Sequence, residues 1–199
     1  MKKVNVLLLA IFIVALFLRL AVIVLYDNGK MLRNQFYASD ELSYSQIATN
    51  CLAGKGLVTD NGNYVRRGPV YPLFLAFIFM LFGHSIVVVR IIQAIIGALT
   101  CVIIFSLGKE AFDLLVGLLS ALLSAIYWPF ILQPMYLLTE VVFTALLCLS
   151  FYLFLHYFNT RSILTLFFAA LLFSLAALCR AIILYFLPVL LIWIGVIHR

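Results

Sequence analysis

Hydrophobic residues in this chain come in long runs separated by short polar breaks, and one polar stretch is far longer than the rest. The first run covers residues 4–26. A mainly polar segment, residues 27–85, follows it and contains an apolar stretch at 69–82 that ends at Gly83-His84-Ser85. Further runs cover about 86–107, 114–132, 136–158, 162–178 and 181–197. Their breaks are Gly108-Lys109-Glu110, Trp128-Pro129 with Gln133-Pro134, Phe158 to Ser162, and Cys179-Arg180. Apolar runs of about 18 residues or more read as membrane-crossing helices, and proline ends or kinks a helix at the residue before it. The pattern predicts an all-α, polytopic membrane protein forming a single transmembrane domain over residues 1–199. Its first span is 4–26, its long extracytoplasmic loop 27–85, and its remaining five spans lie within 86–199.

The count of six turns on residues 69–82. A stretch of 14 residues is short for a span and more often interfacial or re-entrant. If it lies along the surface, Lys2, Lys3, Lys109, Arg161 and Arg199 all fall on the inner side, while the loop, Arg90, Glu140 and Arg180 gather at the outer face. If it crosses, seven spans result, and Glu140 and Arg180 go to the face opposite Asp40. The excess of basic residues in inner loops does not decide cleanly, because Lys30, Arg33, Lys55, Arg66 and Arg67 sit in the long segment. Segment length and the convergence of ionisable groups favour six.

Within the long loop, Ser39 is placed to cap a helix with Asp40 and Glu41 in its first turn. Tyr44, Ile47, Ala48, Cys51 and Leu52 recur at helical spacing, predicting an amphipathic helix at headgroup level. Gly54-Lys55-Gly56 reads as its stop and is far too little for a phosphate loop. The plain alternative for the two acids is a favourable interaction with the helix dipole. Glu140 is harder to dismiss, since an acid deep in a hydrophobic helix costs on the order of 2.5–3.5 kcal/mol and needs a partner or a wet cavity. Arg90 and Arg180 either snorkel to the headgroups or face inward. Arg19, inside the first span, carries the same two readings. His84 and His156 stand alone in the sequence, without neighbours at ligand spacing.

Composition confirms the compartment and narrows the function. The chain has 199 residues, of which 67% are hydrophobic and 10% charged, with a mean hydropathy of +1.24. A soluble globular domain is excluded. The net charge of +6 fits basic side chains at headgroup level, and no exposed basic segment interleaved with aromatics supports a nucleic-acid partner. Cys51, Cys101, Cys148 and Cys179 are far apart and form no C-x-x-C pair, so they read as packing residues and not as a disulfide framework or zinc site. Lys2 and Lys3 before the first run resemble a signal peptide, but the run is too long and lacks a small-x-small cleavage site.

Several of these elements together resemble a known enzyme family. Asp40-Glu41-Leu42-Ser43-Tyr44, with Ile47-Ala48-Thr49-Asn50-Cys51-Leu52 and Gly54-Lys55-Gly56, resembles the first-loop motif of the GT-C glycosyltransferases that use polyprenyl-phosphate sugars, in the protein mannosyltransferase and aminoarabinose transferase branch. Arg67-Gly68-Pro69-Val70-Tyr71-Pro72 resembles that family's Arg-Pro-Pro-Leu-Tyr-Pro element. Val89-Arg90-Ile91-Ile92-Gln93-Ala94 and Leu138-Thr139-Glu140 are also similar to family positions. So is Leu178-Cys179-Arg180, where the family usually has Thr-Arg-Pro and this chain continues with Ala181. The resemblance implies an outward-facing active site, surface helices in the first loop, and a catalytic aspartate that maps onto Asp40. Family members are usually two or more times longer, so the expectation is an N-terminal transmembrane half or a minimal member.

The expected chemistry is inverting transfer of a sugar from a polyprenyl-phosphate donor to an acceptor hydroxyl at the outer face of a plasma (inner) membrane. The acceptor is a lipid, a glycan or a protein. The leaving phosphate needs no general acid, since its second pKa is about 6. It needs cations, and Arg66, Arg67 and Arg180 are the candidates because guanidinium matches phosphate in a bidentate way. Asp40 is the expected base for the attacking hydroxyl. Glu41 and Glu140 orient Asp40 or the sugar, or hold a divalent cation if one is used. Tyr44, Tyr71 and Arg90 complete the expected substrate-binding set. Membrane lipids surround the spans, and a partner subunit is compatible with the short length. The rival reading is a non-catalytic membrane subunit or scaffold, or a transporter of lipid-linked sugars, which also fits intramembrane Arg and Glu.

Overall fold

The computed structural model describes residues 2–25, 39–60 and 68–186, together with residues 188, 192 and 195. All elements among them are helical. They are α1 (Lys2–Leu25), α2 (Ser39–Leu52), α3 (Val70–Phe82), α4 (Ile86–Ala111), α5 (Leu114–Ile126), α6 (Trp128–Leu132), a 3-10 turn (Gln133–Met135), α7 (Glu140–Thr160), α8 (Ile163–Cys179) and a 3-10 segment (Ala181–Phe186).

Three helices are long and apolar enough to cross a membrane: Val4–Leu25, Ile86–Ala111 and Glu140–Thr160. A fourth arises if α5 and the segment Trp128–Met135, bent by 56°, count as one broken span. The bend sits where Trp128-Pro129 and Gln133-Pro134 interrupt the hydrogen-bond ladder, as proline chemistry requires. Helix α7 begins at Glu140, later than the expected 136, because Tyr136 adopts an extended backbone after the proline turn. Helix α8 has 17 residues, about 26 Å of rise against an apolar thickness of about 30 Å. The expected span at 181–197 opens with the 3-10 segment and then lies mostly outside the described residues.

Helix α4 is the hub, packed against α1, α5 and α7, and α7 in turn packs along α8. The α4–α5 hairpin is tight because Gly108 and Gly117 face one another. A Cβ on Gly117 would come within 2.7 Å of the Phe105 carbonyl oxygen, and one on Gly108 within 3.0 Å of the Gly117 Cα. Small residues let helices in lipid approach closely enough for van der Waals packing to hold them. Arg19 points inward, 1% exposed. It donates to the Ala15 carbonyl at 2.9 Å, and it also contacts the Ala125 carbonyl at 3.5 Å and the Cys101 sulfur at 3.6 Å. It ties α1, α4 and α5 together.

Helices α2 and α3 pack on each other at one end of this bundle. Both ends of α3 touch α2: Tyr71, in its first turn, meets Tyr44 edge-on at 5.0 Å, and His84, just beyond its last turn, lies 2.9 Å from the Ser45 hydroxyl. The 13 residues of α3, about 20 Å, are short for a crossing. The histidines are therefore less isolated than their sequence context implied. His156 Nδ1 lies 3.0 Å from Glu110 Oε1, and the Asn159 amide donates to the same oxygen at 2.6 Å, clasping α4 to α7 at the opposite end.

Candidate functional site

The first turn of α2 delivers two adjacent acids to different places. Glu41 is fully buried, and its Oε1 accepts the Leu137 N–H at 2.7 Å. Leu137 belongs to the extended segment between the proline turn and α7, where no helical partner is available for its amide. Glu41 thus fastens the loop helix to the start of α7. Asp40, one residue earlier, is exposed and lines a cavity of about 280 Å³.

That cavity gathers residues from four parts of the chain. Asp40 and Tyr44 come from α2, Gly68 from the approach to α3, Thr139 and Glu140 from the start of α7, and Cys179 and Arg180 from the end of α8. Arg180 Nη1 lies 2.9 Å from Glu140 Oε1, with both side chains partly exposed. The second carboxylate oxygen of Glu140 is buried and has no hydrogen-bond partner among the described residues. The cavity therefore brings two carboxylates and a guanidinium that has donors to spare into one volume.

At Gly68 the chain runs close against the end of α8. A Cβ there would overlap the Leu178 carbonyl, so only glycine lets this segment press against the end of α8. Its neighbours Arg66 and Arg67 lie outside the described residues.

Beneath the cavity is a buried polar layer. Tyr71 is fully buried and donates from its hydroxyl to Gln93 Oε1 at 2.7 Å. Burial, and then the nearby Glu41 carboxylate, push its phenol well above the usual range, so it remains a donor. The Gln93 amide donates to the carbonyls of Tyr136 at 2.8 Å and Pro134 at 3.3 Å. Arg90, also fully buried, donates from Nε to the Met135 carbonyl at 2.8 Å. These bonds satisfy carbonyls that the proline turn leaves outside any helix ladder.

Of the sequence-derived candidates, the structure brings Asp40, Tyr44, Glu140 and Arg180 to one cavity. It sets Glu41, Tyr71 and Arg90 in the layer that holds the cavity's walls. Thr139 and Cys179 line the cavity without having been singled out, although both stand beside residues that were. The Leu137 amide carries no signal in a sequence at all, since every backbone has one. Among the described residues no group of three or more His, Cys, Asp or Glu converges.

The family model for dolichyl-phosphate-mannose-protein mannosyltransferase matches residues 66–199. The chain belongs to that family. It is a GT-C type glycosyltransferase family, and with the long apolar helices this makes the chain a multi-pass membrane glycosyltransferase family member. No curated protein and no solved structure matches the chain. The matched range contains Gly68, Tyr71, Arg90, Glu140 and Arg180 and begins beyond Asp40 and Glu41. The link between those acids and the family segment is thus carried by the Glu41–Leu137 bond and the shared cavity.

Proposed function

We propose that the protein transfers a sugar from a polyprenyl-phosphate donor to an acceptor hydroxyl, in the cavity between Asp40 and the Glu140–Arg180 pair. The observation that carries this reading is the composition of that cavity: an exposed aspartate from the first loop shares one small volume with a guanidinium and a second carboxylate.

The electron flow suits this arrangement. The acceptor oxygen attacks the anomeric carbon while its proton passes to the Asp40 carboxylate. The bond from that carbon to the phosphate oxygen breaks, and inversion follows from single displacement. The donor is a phosphodiester with one negative charge, and the departing polyprenyl phosphate gains another. Arg180 meets that growing charge, with Arg66 and Arg67 as further phosphate ligands. Glu140, through its bond to Arg180, keeps that guanidinium aimed into the cavity. Glu41, Tyr71 and Arg90 act by holding these groups in place. The cavity opens at the extracytoplasmic end of the bundle, and the plasma membrane is the proposed site of action.

The rival transport reading needs polar groups leading through the middle of the bundle. Arg19 is the nearest approach to one, but the cavity beside it measures only about 10 Å³ and three of its contacts are internal ties. That is space for about one water molecule.

Mass spectrometry of lipids that copurify with the protein tests the donor class. A polyprenyl phosphate or its sugar adduct should be enriched in wild type and lost in Arg180→Ala. Bulk phospholipid alone in both would overturn the reading.

A further inference from the structure

Arg19 is a buried cation within the first long apolar helix, and its bonds leave one nitrogen over. Nη1 donates to the carbonyls of Ala15 and Ala125, and Nη2 lies against the Cys101 sulfur. Nε is buried and has no hydrogen-bond partner among the described residues. The Ala125 contact has a reason in the sequence, because Pro129, four residues on, has no N–H to give that carbonyl. In an apolar surrounding such a freed carbonyl needs a side chain or an ordered water, and here the guanidinium reaches it.

The spare nitrogen faces a small polar cavity. Arg19 lines it with Gly97 and Thr100 of α4, Phe130 and Gln133 of the proline break, and Thr144 of α7. Ala15, Ala125 and Cys101 do not belong to that lining, so Nε is the side of Arg19 that meets the cavity. Gly97 keeps that side clear, since a Cβ there would lie 2.9 Å from Nε.

The lining mixes donors with acceptors, and the mixture decides the occupant. The Thr100 hydroxyl gives its hydrogen to the Ile96 carbonyl at 2.8 Å, so towards the cavity its oxygen can only accept. Pro134 has no N–H for the Phe130 carbonyl four residues back, which therefore lacks its helical partner. A halide ion accepts only, and it would meet both oxygens with no hydrogen between them. Water gives two hydrogens and accepts two, and a volume of about 10 Å³ is close to what one molecule requires.

We propose that one ordered water occupies this cavity, accepting from Arg19 Nε and the Thr144 hydroxyl and donating to the Thr100 oxygen and the Phe130 carbonyl. It joins α1 to α4, α7 and the proline break. The 56° bend between α5 and the segment after it is then held by polar contacts from both sides, the guanidinium at Ala125 and the water at Phe130.

Hydroxyl-radical footprinting of the full chain in phospholipid nanodiscs tests this. A short X-ray pulse turns water into radicals where it stands, and they modify the side chains in contact with it. Phe130 should be modified fast, while Phe105, buried in the apolar cluster of α1, α4 and α5, should stay unmodified. When heavy-oxygen water is mixed in just before the pulse, the Phe130 product should take up the heavy isotope later than those of surface residues. Arg19→Met removes Nε and should abolish the Phe130 labelling. Thr144→Val keeps the shape, removes one of the four bonds, and should reduce it even if Arg19→Met does not fold. Phe130 as inert as Phe105 in wild type would mean a dry cavity and overturn the proposal. Labelling that survives the substitutions, or isotope uptake as fast as at the surface, would do so too, because the radicals would then come from bulk solvent.

Discussion

Asp40 and Glu41 are neighbours in sequence with opposite fates, and the difference sets their mutants apart. Glu41 is buried and satisfies a backbone amide across 96 positions of sequence. Glu41→Ala leaves that amide unpaired, which costs about 1.5–3 kcal/mol for a bond to a charged group. A lower melting temperature in detergent is expected, with Glu41→Gln partly restoring it. Asp40 is exposed and lines the cavity, so Asp40→Asn should leave the melting temperature unchanged. Its transfer rate should fall by about 10²–10⁴-fold, the usual contribution of a positioned base, with polyprenyl phosphate still bound. A rate for Asp40→Asn within a fewfold of wild type would remove Asp40 from the role of base. The sequence marked both acids, because adjacent carboxylates at a helix start in an otherwise apolar chain are conspicuous. It assigned Asp40 the base and Glu41 an orienting role, but gave no sign that Glu41 would be buried, since its partner is a main-chain group distant in the chain.

At the scale of elements, the close approaches are made by glycine. Gly117→Ala drives a Cβ against the Phe105 carbonyl and the backbone of Lys109, neither of which can move alone. Overpacking of this kind costs about 1–3 kcal/mol, so the variant should lose thermal stability while transfer in the cavity between Asp40 and the Glu140–Arg180 pair persists. Gly68→Ala should behave differently, because it pushes the loop off the end of α8 at the cavity itself. Its activity should fall more than its stability, measured by comparing transfer rate with melting temperature in one preparation. The helices themselves were legible from periodicity and punctuation: α2 stops at Gly54 and Gly56, both at positive φ, where the sequence predicts a turn. The long runs at 4–26 and 86–107 became α1 and α4. Less legible was the region between α5 and α7, where two prolines split one apolar run into a bent helix, a 3-10 turn and an extended strip. Apolar content alone carries no record of where such a strip will point its carbonyls, and Arg90 and Gln93 are spent on them.

The whole molecule is polarised from end to end. Asp40, Arg90, Glu140 and Arg180 are linked to one end through the Glu41–Leu137, Arg90–Met135 and Glu140–Arg180 contacts. Glu110, His156 and Asn159 close the other. This polarity bears on whether α3 crosses the membrane, which basic residues alone leave balanced between the loop and the opposite end. If α3 lies along the surface, residues 55 and 84 fall on one side of the membrane, and residues 109 and 161 on the other. On a background with the four native cysteines replaced, Lys55→Cys and His84→Cys should react with a membrane-impermeant maleimide added to intact cells. Lys109→Cys and Arg161→Cys should react only after the membrane is opened. A crossing α3 would instead put Lys55→Cys and His84→Cys on opposite sides. That result would separate Asp40 from Glu140 and Arg180 by the thickness of the bilayer, and the proposed reaction could not occur in one cavity. The labelling pattern therefore tests the topology and the active site together, and it does so without knowing which sugar is moved.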